Sequence, residues 1–139
     1  MNLIEKELYL VEKMIKADVV KEKSIKEIYK YIFKSDGKKI RARLNLISSS
    51  INRKKKNRIK LAAIIELLHT ATLIHDDVVD DSSFRRGNES VNNIWSNAHG
   101  VLIGDYIYSK AFIYMVDVGK KEILKAVSYT HLTLPTMIR

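Results

Sequence analysis

The chain of 139 residues contains no cysteine, one proline and five glycines. Without cysteine it can form no disulfide or thiolate metal site, and it cannot use a cysteine nucleophile. Because Pro135 is the only proline, most of the chain lacks the residue that interrupts helices most strongly. The longest apolar run, 61–74, is too short to span a membrane and carries Glu66 and His69. The start of the chain does not resemble a signal peptide, so these absences predict a cytoplasmic protein.

Positive charge exceeds negative charge, since 25 Lys and Arg residues against 16 Asp and Glu residues give a formal net charge of +9. Such an excess can serve to bind nucleic acid, an anionic membrane or a polyphosphate substrate. It also arises from a general bias toward lysine. The basic run 53–58 has no aromatic residues interleaved for base stacking. We therefore interpret this run as a solvated loop between helices and expect no nucleic-acid partner.

Apolar residues recur at helical spacing through most of the chain, and no segment alternates strictly as a half-buried strand would. One helical stripe runs from Leu3 to Val19 and another from Ile25 to Ile32. The pattern predicts further helices over residues 38–50, 59–80 and 91–115. The sequence therefore predicts an all-α fold.

Three segments depart from the helical pattern. Residues 82–89 are polar and predict a loop that turns at a glycine, and the last helix is expected to be interrupted near Gly100 or Gly104. Residues 127–139 have no helical apolar stripe and contain the only proline, and they resemble a translated cloning adapter. We predict that the native domain covers residues 1–126 and that 127–139 is a non-native tail.

Four carboxylates lie within the six residues 76–81, directly after the apolar run. Negative charge at the C-terminal end of a helix opposes the helix dipole, so these carboxylates need another reason to be there. On a helix, Asp76 and Asp80 share a face and lie roughly 6 Å apart along the axis. Such a pair suits Mg²⁺, which is typically held by one or two carboxylates together with substrate phosphates. Arg85 and Arg86 fit phosphate oxygens, so the stretch predicts a metal-bridged diphosphate site.

Four motifs occur in the order typical of one family; they are residues 37–41, 66–80, 85–87 and 104–105. Together they resemble the trans-isoprenyl diphosphate synthases, in particular the long-chain, octaprenyl-like polyprenyl diphosphate synthases. The resemblance implies the isoprenoid synthase fold of antiparallel helices and a homodimer. It implies a prenyltransferase that uses Mg²⁺ to condense isopentenyl diphosphate with an allylic diphosphate. The product would be a long-chain all-trans polyprenyl diphosphate, a lipid that brings the protein near membranes.

The resemblance also implies roles for individual residues. Asp76 and Asp80 match the magnesium ligands, and Asp77 belongs to the same motif. Arg85 matches a contact to the allylic diphosphate and completes the expected catalytic set with Asp76 and Asp80. The positions that hold isopentenyl diphosphate are matched by Lys38, Arg41, His69 and Arg86.

Two further expectations come from the resemblance. Ala71 and Thr72, five and four residues before Asp76, are small, whereas bulky residues at these positions keep products short in the family. A long product is therefore expected. Family members are also about twice as long as this chain or longer, and their second aspartate-rich motif has no counterpart here. We therefore expect an N-terminal fragment that is inactive alone.

Two other classes of function are open. The first is a non-catalytic helical subunit of a heteromeric synthase, although such subunits typically lack the aspartate motif. The second is an HD-type metal phosphohydrolase, which would leave the Arg-Arg-Gly segment unexplained. Its ligands would be His69, His75, Asp76 and Asp105. Magnesium-dependent binding of a diphosphate would distinguish a synthase from a structural subunit.

Overall fold

The computed structural model describes residues 2–34, 55–119 and 121, so the predicted helix 38–50 and the predicted tail 127–139 lie outside the described residues. The elements are α1 (Leu3–Lys16), α2 (Lys23–Ile32), α3 (Lys55–Val79), β1 (Phe84–Arg85), β2 (Asn88–Glu89), α4 (Val91–Ile94) and α5 (Asn97–Val118). The prediction of an all-α fold is confirmed, since β1 and β2 form only a short antiparallel ribbon. Within the described ranges no helix is long and apolar enough to cross a membrane.

The helices α1 and α2 follow the two predicted apolar stripes. Leu8, Val11 and Ile15 are buried from α1, and Ile28 and Tyr29 are buried from α2. The N-cap side chain of each helix accepts hydrogen bonds from N–H groups of the first turn, which have no partner inside the helix. Sequence periodicity thus predicted both the helices and the faces that they bury.

The C-terminal end of α1 is tied to α2 and α5 by side chains. Three carbonyl groups at this end, two in the last turn of α1 and one at the cap residue, accept hydrogen bonds from buried or half-buried side chains. The donor and acceptor pairs are Tyr29 with Ile15, Lys110 with Ala17, and Tyr114 with Met14. Burial raises the pKa of Tyr29 and lowers the pKa of Lys110, because the charged form of each loses hydration.

The helices α3 and α5 pack antiparallel and form the centre of the described fold. Contacts between them run in opposite directions along the two helices, from Lys60 with Asp117 (3.3 Å) through Thr72 with Tyr108 (2.9 Å) to Val78 with Gly100. Most of the buried apolar side chains belong to α3. They are Ile59, Leu61, Ala62, Ala63, Ile64, Ile65, Leu67, Leu68, Ala71 and Ile74. Burial on nearly all sides explains why α3 is apolar over most of its length.

The predicted interruption of the last helix near Gly100 or Gly104 is wrong. The break lies at Trp95 and Ser96, between α4 and α5. Ser96 has extended backbone angles, and its hydroxyl accepts a hydrogen bond from the backbone N–H of His99, so it caps α5. Both glycines lie inside α5 where it meets α3, and they serve close packing of the helices.

The interpretation of residues 53–58 as a solvated loop is also wrong for its described part. Lys55 already begins α3, and Arg58 is buried. The guanidinium of Arg58 donates to both carboxylate oxygens of Glu7 on α1, at 2.5 and 3.2 Å. Composition indicated a basic surface run, whereas the fold pairs one of its charges with a buried glutamate that lies 51 residues away in sequence.

Candidate functional site

The last turn of α3 ends in a hydrogen-bonded cap that uses one of the four carboxylate residues. Asp81 has a φ of 52°, its N–H donates to the carbonyl of Val78 (3.3 Å), and the N–H of Ser82 donates to the carbonyl of Asp77 (2.9 Å). This pair of bonds is a Schellman motif, and aspartate tolerates the left-handed conformation better than most residues. Asp81 therefore ends the helix, which accounts for its place in the acidic stretch.

A second carboxylate of the stretch, Asp77, forms a bidentate ion pair with Arg85. Asp77 is only 5% exposed, and its Oδ1 accepts from Nη2 of Arg85 at 2.7 Å while its Oδ2 accepts from Nε at 3.0 Å. Hydrogen bonding to Asp77 raises the pKa of Arg85, and the charges of Asp77, Asp76 and Asp80 raise it further. Asp77 thus serves in this structure as the partner that orients Arg85, a role that the sequence analysis did not predict.

The predicted polar loop 82–89 is a β-hairpin that carries Arg85 back to α3. Its turn consists of Arg86 and Gly87, whose φ angles of 52° and 81° are both positive, as in the type I′ turn of two-residue hairpins. Glycine adopts this conformation without strain. A ribbon with two residues in each strand is too short to show an alternating pattern, so the sequence predicted the turn but not the pairing.

The hairpin is anchored at its base rather than at its tip. The carbonyl of Ser82 accepts hydrogen bonds from the hydroxyl of Ser90 (2.6 Å) and from Nδ2 of Asn92 (3.0 Å). On its outer strand, the carbonyl of Glu89 accepts from the hydroxyl of Tyr31 on α2 at 2.6 Å. These bonds fix the hairpin against α2 and α4 and leave Arg86 exposed at the turn.

The remaining two carboxylates, Asp76 and Asp80, lie one helical turn apart. The N–H of Asp80 donates to the carbonyl of Asp76 at 2.9 Å, so the helical backbone continues through both residues and their side chains share a face. Asp76 is half-buried and Asp80 is exposed. Within residues 2–34 and 55–119, no hydrogen bond or ion pair engages either side chain. Two charges at the unfavourable end of a helix are thus left available for a ligand.

Of the other four predicted site residues, two are among the described residues and two are not. His69 lies on α3, two turns before Asp76 on the same stripe, and is half-buried. Arg86 lies at the tip of the hairpin that Arg85 anchors. Lys38 and Arg41 lie outside the described residues. The structure therefore places Asp76, Asp80 and Arg85 at one end of α3.

The ligand set expected for an HD-type phosphohydrolase does not come together. In the part of the chain that the structure describes, no three His, Asp or Glu side chains form a group that could hold a metal ion. Nε2 of His75 lies 3.1 Å from the carbonyl oxygen of Val101 and 3.4 Å from Oδ1 of Asp105, between α3 and α5. This nitrogen is thus engaged by α5.

Comparisons with known proteins identify the family of the chain. Residues 22–136 match the family model described as "Polyprenyl synthetase". The chain is 39% identical to octaprenyl diphosphate synthase of Escherichia coli over 105 residues, which are 75% of this chain and 32% of that protein. It is 41% identical to all-trans-nonaprenyl-diphosphate synthase (geranyl-diphosphate specific) of Rhodobacter capsulatus over 103 residues, which are 73% of this chain and 32% of that protein.

Solved structures extend the likeness to the fold. A decaprenyl diphosphate synthase from Rhodobacter capsulatus superimposes with a TM-score of 0.79 and 28% sequence identity. The match covers 97% of this chain and 43% of that chain. The chain spans about a third of the length of the relatives that it matches in sequence.

Proposed function

Because the chain belongs to the polyprenyl synthetase family, we propose that the protein containing it is a prenyltransferase that condenses isopentenyl diphosphate with an allylic diphosphate. Its helices form part of the all-α isoprenoid synthase fold. The names of its relatives support a long-chain all-trans polyprenyl diphosphate as product. The observation that carries the proposal is the pair Asp76 and Asp80, two carboxylates on one face beside an arginine that Asp77 holds.

The donor set of the acidic pair fits Mg²⁺. Asp76 and Asp80 would supply two anionic oxygens from successive turns, and the other coordination positions would fall to water and diphosphate oxygens. A divalent cation bound there would withdraw negative charge from the diphosphate leaving group. Without a cation the same two carboxylates repel a diphosphate, so diphosphate binding at this end of α3 should require the metal.

Arg85 can bind an anion while its ion pair with Asp77 stays intact. Asp77 accepts from Nε and Nη2, which leaves the N–H groups of Nη1 for a phosphate oxygen. Because two bonds fix the plane of the guanidinium, little side-chain freedom remains to be lost when the diphosphate binds. We assign Arg85 to the allylic diphosphate and Lys38, Arg41, His69 and Arg86 to isopentenyl diphosphate.

The proposed reaction separates charge, and the residues around the diphosphate stabilise it. The C–O bond of the allylic diphosphate breaks and its electron pair stays on the diphosphate, where Arg85 faces the developing charge. The allylic carbon then bonds to the terminal alkene carbon of isopentenyl diphosphate. Loss of a proton from the resulting carbocation forms the new double bond, and a diphosphate oxygen accepts that proton. Water has to be excluded so that it does not capture the cation.

The two small residues before the aspartates lie on different faces of α3. Thr72 is one turn before Asp76 on the same face, and its hydroxyl is 2.9 Å from that of Tyr108. Ala71 is fully buried in the core. We propose that Thr72 is the small residue that a growing chain passes, so Thr72→Phe should shift products toward shorter chains.

Self-association of the protein is supported by an exposed apolar face on α5. Four large apolar side chains along this helix are between 58% and 82% exposed: Leu102, Phe112, Ile113 and Val116. Side chains at this spacing share one side of a helix, and an apolar surface of this kind is normally covered by a partner. We propose that a second copy covers it. Val116→Asp combined with Phe112→Glu should halve the mass in sedimentation equilibrium, whereas an unchanged mass would exclude this face. The cytoplasmic location stays a prediction.

Synthase activity is tested on the protein expressed from the complete reading frame that contains this sequence. Isopentenyl and farnesyl diphosphates with Mg²⁺ should give a long polyprenyl diphosphate, detected by mass spectrometry. Asp76→Asn or Asp80→Asn should abolish the product, and turnover close to normal in either variant would overturn the assignment. A protein that binds no bisphosphonate in the presence of Mg²⁺ would instead be the non-catalytic subunit.

A further inference from the structure

The contact between His75 on α3 and Gly104 on α5 is too close for a Cβ atom at position 104 unless the ring of His75 moves. A Cβ atom built on Gly104 would overlap the imidazole ring of His75, whose Nε2, Cδ2 and Cε1 are its three nearest atoms. The φ angle of Gly104 is not in the left-handed region, so glycine provides space for the ring here and is not needed for the backbone conformation. The ring therefore sits in a notch on α5.

The imidazole is also held by polar and aromatic contacts. Nε2 lies 3.1 Å from the carbonyl oxygen of Val101, and because a carbonyl only accepts, Nε2 carries the hydrogen. Oδ1 of Asp105 lies 3.4 Å from the same nitrogen, and the ring of Tyr108 packs against the imidazole with centroids 5.5 Å apart. His75 thus meets α5 through a steric notch, a hydrogen bond and a ring contact at once.

This contact lies next to the acidic pair in sequence and in space. Asp76 follows His75 directly, and successive helical residues point about 100° apart around the axis. If the ring of His75 is fixed against α5, the last turn of α3 can neither slide nor rotate, and the directions of Asp76 and Asp80 are fixed with it. One turn away, a Cβ on Gly100 would lie 2.7 Å from Cγ2 of Val78, so the helices are close at this point also.

We propose that His75, seated in the Gly104 notch, is a positioning residue that sets the orientation of Asp76 and Asp80 for binding of the cation and diphosphate. This inference rests on the proposed function, because it assigns a role toward the ligands of that site. It explains why the helix carries glycine at position 104, where alanine would give a more stable isolated helix. Displacement of a binding group by about 1 Å costs on the order of a hundredfold in rate, so an anchor here has a measurable effect.

Two substitutions of similar size separate anchoring from space filling. His75→Gln keeps an N–H donor that can reach the carbonyl of Val101, whereas His75→Leu fills the notch without a donor. The control is Lys60→Met, which breaks the contact with Asp117 at the opposite end of the same helix pair. The readouts are the Mg²⁺ concentration for half-maximal diphosphate binding, kcat and KM of the complete protein, and the melting temperature.

His75→Leu should raise the Mg²⁺ requirement and lower kcat by roughly tenfold to a hundredfold, with little change in KM for isopentenyl diphosphate. His75→Gln should restore most of both values, and Lys60→Met should lower only the melting temperature. The inference is overturned if His75→Leu leaves the Mg²⁺ requirement unchanged, or if all three variants lose activity in proportion to their stability.

Gly104→Ala supplies an independent steric test. It should impair cation-dependent binding because the ring of His75 has to move, and adding His75→Ala should recover the melting temperature without recovering the binding. Recovery of both would show that His75 only needs to be accommodated, and would overturn the inference.

A measurement that needs no ligand keeps the two proposals distinguishable. Amide hydrogen exchange of residues 76–80 should be faster in His75→Leu than in His75→Gln, since the last turn of α3 loses its anchor. Equal exchange rates would overturn the positioning role. If the unsubstituted protein binds no diphosphate with Mg²⁺, the proposed function fails while the exchange test still decides whether His75 anchors the turn. If Asp76→Asn abolishes binding and His75→Leu does not, only this inference fails.

Discussion

At each end of α3 an arginine and a carboxylate form a bidentate ion pair, but the surroundings of the two pairs differ. At the N-terminal end, Arg58 and Glu7 are both buried, with side-chain exposures of 10% and 1%. At the C-terminal end, Asp77 is 7% exposed by side chain while Arg85 is 39% exposed. The first pair joins two helices inside the protein. In the second pair the guanidinium of Arg85 lies at the surface, and one of its sides is exposed to solvent.

The difference shows that the same interaction can serve stability or ligand binding, depending on which partner is buried. A buried ion pair is neutral as a unit, and removing one of its two partners leaves the charge of the other buried without compensation. A buried carboxylate can instead orient a half-exposed arginine. The exposed N–H groups of that arginine then remain available to bind another anion. The Arg85 pair also lies beside two carboxylates that have no side-chain partner among the described residues.

Glu7→Gln is expected to have the largest effect on stability. It removes the negative charge and leaves the guanidinium of Arg58 buried, which should cost about 3–5 kcal/mol in the free energy of unfolding. Urea denaturation followed by circular dichroism measures this loss. The affinity of the folded protein for diphosphate should be unchanged, and a loss of affinity as large as that of a site variant would break the comparison.

Asp77→Asn should show the opposite pattern. The amide cannot accept two bonds from Arg85, so the guanidinium loses its orientation and diphosphate affinity or turnover falls on the order of a hundredfold. The free energy of unfolding should fall less than in Glu7→Gln, because Arg85 can turn toward solvent. If Asp77→Asn is the more destabilising of the two and turnover is retained, the pair is structural.

Arg85→Lys sharpens the same comparison with a smaller change. Lysine keeps the positive charge but cannot make the planar two-bond contact with Asp77 and a further bond to phosphate at the same time. Turnover should fall about tenfold, less than for Asp77→Asn, because the Asp77 carboxylate still holds the lysine ammonium near the site, whereas in Asp77→Asn the arginine can turn toward solvent. Steady-state kinetics of the two variants in parallel give the ratio, and a lysine variant as active as the unsubstituted protein would show that orientation is unimportant.

Tyr29→Phe tests the contacts at the C-terminal end of α1 through the pH dependence of the free energy of unfolding. The unfolded state loses the tyrosine proton near pH 10, whereas buried Tyr29 keeps it, because burial raises its pKa. The unfolded state then binds fewer protons, so stability is full below about pH 10 and falls as the pH rises further. The variant should lose about 1 kcal/mol below pH 10, with its hydrogen bond to Ile15, and should show a weaker alkaline decline.

The control for this pH dependence is the difference between the two proteins at each pH. Tyr114 also has a raised pKa, and Lys110, whose pKa is lowered by burial, contributes a slope of opposite sign below pH 10.5. Both groups are present in each protein, so the difference isolates Tyr29 together with its interactions with these two groups. Parallel alkaline declines for the two proteins would contradict the burial of the Tyr29 hydroxyl.

Sequence periodicity predicted the described helices well because each buries one apolar face or is apolar throughout. The stripes led by Leu8 and by Ile28 gave α1 and α2, and the run 61–74 gave α3. Helix propensity also suggested a break at glycine, but Gly100 and Gly104 are used for close packing against α3. Glycine weakens a helix and permits close approach of another one, and the sequence alone does not tell which of these effects matters.

Pairing of charges was the part that the sequence could not predict. The shared face of Asp76 and Asp80 follows from helical spacing alone, so it could be predicted. The partnership of Asp77 with Arg85 depends on a hairpin turn between them, and that of Arg58 with Glu7 depends on how two helices cross. The role of Asp81 as the left-handed cap of α3 is recognised only from its φ angle and hydrogen bonds, because nothing in the sequence distinguishes it from the other aspartates of the stretch.

Calorimetric titration with inorganic diphosphate, in the presence and absence of Mg²⁺, tests the central claim most directly. The unsubstituted protein should bind only with Mg²⁺, and Asp76→Asn or Asp80→Asn should abolish that binding, whereas Asp117→Asn, which removes an exposed carboxylate on α5, should not. Binding of equal strength without Mg²⁺, or retained binding in either Asp76→Asn or Asp80→Asn, would contradict the account.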